Sequence, residues 1–266
     1  MQTAEPDPSP AAAPPESTAG GIGERPAEMT TGEVLRFGSV RALMVANTVL
    51  YTGVALQAAA LGKQAYDITG RSADLGWIGL CEFLPAALLV LVTGTVADRF
   101  NRKRVALIAI SGEVLTSVAL LVFALSGPTE VWPLFIIAFF YGIARAFLAP
   151  AIRTMPPMVA PDGGLPRVIA LYSATWTAAM IVGPAVSGFL YAVDPWVAYA
   201  ASGSLIFASI FFIGALKFER QPDPPDPDEK PTFRSAVEGL LFIRRTPTIQ
   251  AIRPVKNIPA MYGMLI

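Results

Sequence analysis

The chain has 266 residues, 53% of them hydrophobic and 15% charged, and its 20 basic and 20 acidic side chains cancel. A soluble domain carries about 25% charged residues, so the composition excludes an ordinary water-soluble globule and points to an all-α membrane protein. There is no histidine and one cysteine, Cys81. That excludes an intrachain disulfide, leaves metal centres of the His or Cys type without ligands, and confines any proton-coupled step to carboxylates. The chain holds no nucleophile–histidine pair, no phosphate-binding glycine loop and no metal cluster, so no enzyme activity, cofactor or nucleic-acid partner is expected.

Residues 1–36 are rich in Pro, Ala, Glu, Ser and Gly and lack an apolar core of signal-peptide type. They read as a disordered cytosolic tail, with targeting left to the first span. Six apolar stretches follow, at 40–61, 74–97, 105–125, 131–152, 168–192 and 197–216. Each reaches the roughly 20 helical residues needed to cross a bilayer core. Residues 37–217 are therefore expected to form a six-helix transmembrane domain.

The first stretch carries Asn47, Thr48, Tyr51, Thr52 and Gln57. Asn47 and Tyr51, like Thr48 and Thr52, are one turn apart and share a face. Such a stripe either lines a water-filled cavity or ties helices together by hydrogen bonds. The second stretch contains Glu82 and Pro85, the third Glu113 and the fourth Arg145. Counting about 1.5 Å per residue from the cytosolic ends places Glu113 and Arg145 at similar depth. They are expected to pair, as a working charge couple or as a static salt bridge, because an isolated charge there is costly. Glu82 lies deeper and has no evident mate. It is a candidate proton carrier, a contact for a cationic substrate group, or a carboxylate wetted at the outer mouth. In the fifth stretch Gly183-Pro184 is expected to interrupt the helix, since Pro184 removes the hydrogen bond to the Met180 carbonyl. Ala179, Gly183 and Ser187 form a small face suited to close helix contact. The sixth stretch is apolar with small residues.

Residues 218–231 read as a Pro/Asp linker. Residues 232–266 read as an amphipathic segment followed by a truncated tail. Phe233, Val237, Leu240 and Leu241 share one face, and Arg234, Arg244 and Arg245 are available to lipid phosphates; an ordinary surface helix fits the pattern equally. Cations gather in alternate connections, around Arg41, Arg99, Arg153, Arg167 and Lys217, while Lys63 and Arg71 stand alone on the other side. That bias predicts a multi-pass protein of the cell inner membrane with both termini cytosolic. Trp77, Trp132 and Trp196 fall where an outer aromatic belt would place them.

Between the second and third stretches lies GTVADRFNRKR, with Gly94, Asp98, Arg99, Arg102, Lys103 and Arg104. It resembles the cytoplasmic loop signature between the second and third helices of major facilitator superfamily transporters. The family pattern has a second glycine where this chain has Asn101, and asparagine tolerates the left-handed conformation such a position implies. Ala179, Gly183, Pro184, Ser187 and Gly188 are similar to the superfamily's exporter motif, with Ala179 and Ser187 in place of two glycines. With LGWIGLCEFLP in the second span and GIARAFLAPAIRTMPPMV in and beyond the fourth, residues 37–245 resemble the N-terminal half of an exporter. The branch is that of the enterobactin exporters and macrolide efflux proteins.

The resemblance implies a half-bundle of three-plus-three inverted repeats and a loop that latches two halves and controls their switching. It also implies proton-motive efflux of a siderophore or drug-like small molecule across the lipid bilayer. Substrate would be handled against a second six-helix half. Since 266 residues hold one half, the expectation is a truncated exporter, a half-transporter pairing with a second half or as a homodimer, or a membrane protein that does not transport. Asp98 and the Gly183-Pro184 face are then expected to lack their opposite numbers.

Overall fold

The computed structural model describes residues 29–216. The expectations for residues 1–28, for the Pro/Asp linker and for the amphipathic segment lie outside the described residues. Eight helices are described: α1 (Thr31–Val34), α2 (Gly38–Thr69), α3 (Ser72–Arg99), α4 (Arg102–Leu125), α5 (Trp132–Arg153), α6 (Pro156–Val159), α7 (Leu165–Val193) and α8 (Pro195–Ala215). All except α1 belong to the six segments long and apolar enough to cross a membrane, α6 lying at the end of the segment that α5 begins.

Three boundaries differ from the sequence expectation. The first span runs on to Thr69, because Lys63, Gln64 and Ala65 continue the helix, and it stops at Gly70, whose φ of 64° suits glycine. Residues 29–36 do not simply continue the tail. Thr30 and Glu33 form a capping box, with the Thr30 N–H donating to the Glu33 carboxylate at 2.7 Å, and Val34 is fully buried. Those Thr30 hydrogen bonds hold the Glu33 carboxyl below the ordinary carboxylate range. The fifth span is not interrupted: α7 is a single helix through Gly183-Pro184. One missing backbone bond is tolerated there because the flanking turns and the neighbouring helix hold the rod together.

The long helices pack in the order α3–α5–α4–α8–α2–α7. Exchanging α2 with α5, α3 with α7 and α4 with α8 returns the same order reversed. That is the three-plus-three repeat written in helix contacts. The closest approaches follow it. A β-carbon on Gly142 of α5 would collide with the Glu82 carbonyl of α3. In the exchange-related pair, one on Gly183 of α7 would lie 2.6 Å from Ala55 Cβ and 3.0 Å from the Thr52 carbonyl of α2. Small residues let bilayer helices come together where no hydrophobic force drives them.

The core is split into two apolar clusters. One includes Leu43, Leu50, Ile110, Tyr141, Ile152 and Ile206; the other includes Leu56, Leu61, Ile78, Leu120, Leu134 and Tyr199. Along α4 and α8 the buried residues between the clusters are polar: Glu113, Thr116 and Ser117 on α4, and Ser202 on α8. Gln57 reaches this belt from α2, accepting a short hydrogen bond from the Ser117 hydroxyl.

Gly142→Ala is expected to lower stability by about 1–3 kcal/mol through overpacking against the α3 backbone. Gly188→Ala, with open space around it, should leave stability unchanged. Thermal denaturation of the detergent-solubilised protein compares the two; equal midpoints would show that α3 and α5 do not meet at Gly142.

Candidate functional site

Of the six spans, α3 and α7 bury the smallest share of their apolar stretches inside the bundle, 17% each against 56% for α2. They flank an open face whose floor is α2 and α5. Arg145 stands on that face. It is eight residues from the C-terminal end of α5 and thirteen from its N-terminal end, roughly 12 Å and 20 Å at about 1.5 Å per residue. Its side chain is 44% exposed. Hydrocarbon cannot solvate a guanidinium at that depth, so the face must meet water or protein.

Arg145 pairs with Glu82, Nη1 to Oε2 at 3.8 Å, and its guanidinium lies 5.5 Å from the Tyr141 ring centroid. This corrects the expected pairing with Glu113 and supplies the mate Glu82 was thought to lack. Depth alone could not decide between the two carboxylates. The contact at Gly142 does: it brings the α3 backbone at Glu82 against α5 three residues before Arg145. Glu113 is fully buried, and neither of its carboxylate oxygens has a hydrogen-bond partner.

Two spaces meet at Arg145. One, of about 640 Å³, is lined by Glu82, Phe83, Thr93, Arg145, Pro150 and Arg153. The other, of about 270 Å³, is lined by Tyr51, Arg145, Arg153, Tyr172, Ser173 and Trp176. Of Asn47, Thr48, Tyr51 and Gln57 on the first span, Tyr51 lines this space. The other three serve the helices instead. Asn47 Nδ2 donates to Thr175 Oγ1 at 2.8 Å and to the Tyr172 carbonyl at 3.3 Å. The Thr48 hydroxyl returns to the Met44 carbonyl at 2.9 Å, and Gln57 is buried against Ser117. Sequence reasoning missed Arg153, Tyr172 and Trp176. Arg153 lies on the same four-residue row as Arg145, and Tyr172 and Trp176 are one turn apart, which were the available signals. A third space, about 850 Å³ along α4 and α5, is lined by residues such as Ile108, Leu115, Phe140 and Phe147, with Arg104 at one end.

The small face of Ala179, Gly183 and Ser187 makes the close helix contact expected of it, so Gly183 does not lack an opposite number. The face is buried against α2, where the Ser187 hydroxyl donates to the Leu56 carbonyl at 2.9 Å. Pro184 and Gly188 point away from that contact and are exposed.

In the basic turn, the side chains of Gly94, Asp98 and Arg99 lie outside the described residues. Asn101 is not left-handed: its φ is −58° and it is the N-cap of α4, Oδ1 accepting from the amides of Lys103 and Arg104 at 3.1 and 3.2 Å. Lys103 crosses to α8, donating from Nζ to the Gly214 carbonyl at 2.6 Å and the Leu216 carbonyl at 2.9 Å. A cation there satisfies carbonyls that the helix end leaves free. Arg102 begins α4 beside them.

These features define a six-helix membrane bundle with a charged, aromatic-lined face between its two three-helix units. A profile of the Major Facilitator Superfamily matches residues 43–266, and the chain belongs to that family. It is 29% identical over 192 residues to Macrolide efflux protein A of Streptococcus pyogenes, covering 69% of this chain and 46% of that protein. It is 28% identical over 184 residues to Macrolide efflux protein A of Enterococcus faecalis, covering 66% and 54%. With the Multidrug efflux pump Tap of Mycobacterium tuberculosis it shares 28% over 188 residues, covering 65% and 43%. The chain spans about half the length of the curated relatives it matches.

Asn101→Ala should cost about 1 kcal/mol of stability through the lost cap, and Asn101→Gly only about 0.3 kcal/mol. A gain in stability with glycine, measured by thermal denaturation in detergent, would instead mean a left-handed residue at that position.

Proposed function

We propose that this chain forms half of an efflux transporter, whose open face is closed by a second six-helix bundle on the same or another polypeptide, a second copy included. The observation that carries this reading is Arg145, a half-exposed cation well inside a membrane-spanning helix. Such a residue belongs in a substrate pathway by default. The face around it joins two guanidinium groups and Glu82 to the rings of Tyr51, Tyr172 and Trp176, which suits an aromatic, partly charged molecule of drug or siderophore type. The names of the relatives point the same way, to macrolides and to multiple drugs.

Transport is driven by protons, carried on the carboxylates of that face because the chain has no histidine. The protein sits in the cell inner membrane with both ends of the bundle cytosolic, following the placement of Lys and Arg. The turn from Gly94 to Arg104, with Asp98 and Arg99, is the element that couples the two bundles. Pro184 and Gly188, exposed on α7, belong to the surface the second bundle covers.

Efflux-deficient cells expressing this chain together with the second half of a macrolide efflux protein test the proposal. Intracellular radiolabelled macrolide should fall several-fold. The fall should disappear with Arg145→Ala and on addition of a protonophore. Unchanged accumulation, with membrane insertion of both halves verified, would overturn it.

A further inference from the structure

The apolar groove along α4 and α5 takes no part in the export reading. It shares no lining residue with the two spaces at Arg145. Its floor is made of small residues. Ala109, Gly112 and Ala144 lie along it, and a β-carbon on Gly112 would stand 3.2 Å from Ala144 Cβ, so the two helices nearly touch there. Its rims are bulky: Ile108 and Leu115 on α4 and Phe140 on α5 are all exposed. Small residues between two bulky rows make a channel rather than a ridge. On a spanning bundle that channel meets hydrocarbon, and leaving it unfilled would forfeit dispersion contacts along its length.

The groove has one charged end. Among the described residues that line it, Arg104 carries the only charge, and its side chain is exposed. No ion pair among the described residues holds that guanidinium. The neighbouring cation is engaged, because Lys103 donates to the carbonyls of Gly214 and Leu216. Asn101 already caps the amides at the start of α4. That leaves the Arg104 side chain to meet an anion at this end. From Arg104 the groove follows α4 to Leu115 and beyond. The distance to Leu115 is roughly 16 Å at about 1.5 Å per residue, close to one leaflet of a hydrocarbon core about 30 Å thick.

We propose that the groove is a phospholipid site, taking an anionic lipid with its phosphate on Arg104 and one acyl chain between Ile108, Leu115 and Phe140. A guanidinium suits a phosphate because its planar fork donates two parallel hydrogen bonds. Basic sites between spanning helices at the membrane surface hold acidic headgroups in this way. The acyl chain buries against Ala109, Gly112 and Ala144, where each methylene adds to the affinity. An anionic headgroup fits better than a zwitterionic one, because no acidic side chain among the described lining residues receives an ammonium group. The bound lipid pins the start of α4 at headgroup level, beside the basic turn. The site depends on the membrane bundle and not on export.

Native mass spectrometry of the delipidated full chain in detergent tests the site, with phosphatidylglycerol as the probe. One lipid should be retained per chain, and phosphatidylcholine should be held more weakly. Arg104→Gln should weaken phosphatidylglycerol about tenfold. Arg41→Gln, which removes an exposed arginine near the start of α2, should leave it unchanged. Short-chain phosphatidylglycerol should bind more than about tenfold less tightly, and excess inorganic phosphate should not displace the long-chain lipid. Full retention by Arg104→Gln would overturn the site. Equal losses in the two arginine variants would overturn it too, as attraction to the basic surface at large. Displacement by phosphate would remove the groove from the account, and a lipid-free dimer would show that a second copy covers it instead; either result overturns the proposal. Failure of macrolide export with lipid binding intact would sink the transport reading alone.

Discussion

The structure depends on how a guanidinium can be kept inside a bilayer. Arg145 cannot face lipid tails, so everything around it answers that demand. α3 is brought close enough at Gly142 for Glu82 to pair with it, α5 offers the Tyr141 ring, and the face beyond is lined by Arg153, Tyr51, Tyr172 and Trp176. The apolar clusters on either side of the polar belt then fix how far the helices can close on it. An ion pair of this kind adds little stability by itself. Its value is that it obliges one face of the bundle to stay wet or to be covered by protein.

Much of the fold was legible because hydrophobic length is a direct reading of bilayer thickness. All six spans were found, with their order and approximate limits. The errors fell where a local rule met a tertiary one. Gly183-Pro184 looked like a break because Pro184 removes a backbone bond, but the helix around it is held by contact with α2. The Gly183-Pro184 face was expected to lack its opposite number, but Gly183, with Ala179 and Ser187, makes its close contact on α2 within this bundle. Asn101 was fitted to a glycine's backbone when its side chain was the relevant part, as a cap for α4.

The charges inside the spans could be picked out from the sequence; Arg153, Tyr172 and Trp176, and the connections among the residues, could not. Glu82, Glu113 and Arg145 stand out from sequence because charges in apolar runs are rare. Which carboxylate pairs with the arginine depends on helix rotation and on one close glycine contact, and a count of depth carries neither. Asn47 and Gln57 show the converse. Polar residues on the first span fitted either cavity lining or ties between helices, and the hydrogen bonds of these two go to α7 and α4. A periodic polar stripe marks a face; it does not say whether water or another helix lies against it.

Lys103 gives the bundle a mechanical property. By holding the carbonyls of Gly214 and Leu216, it clamps the start of α4 to the tip of α8, the two helices that change places under the internal exchange. The basic turn is therefore tied directly to the C-terminal tip of the last rod, by two hydrogen bonds that lie apart from the charged face.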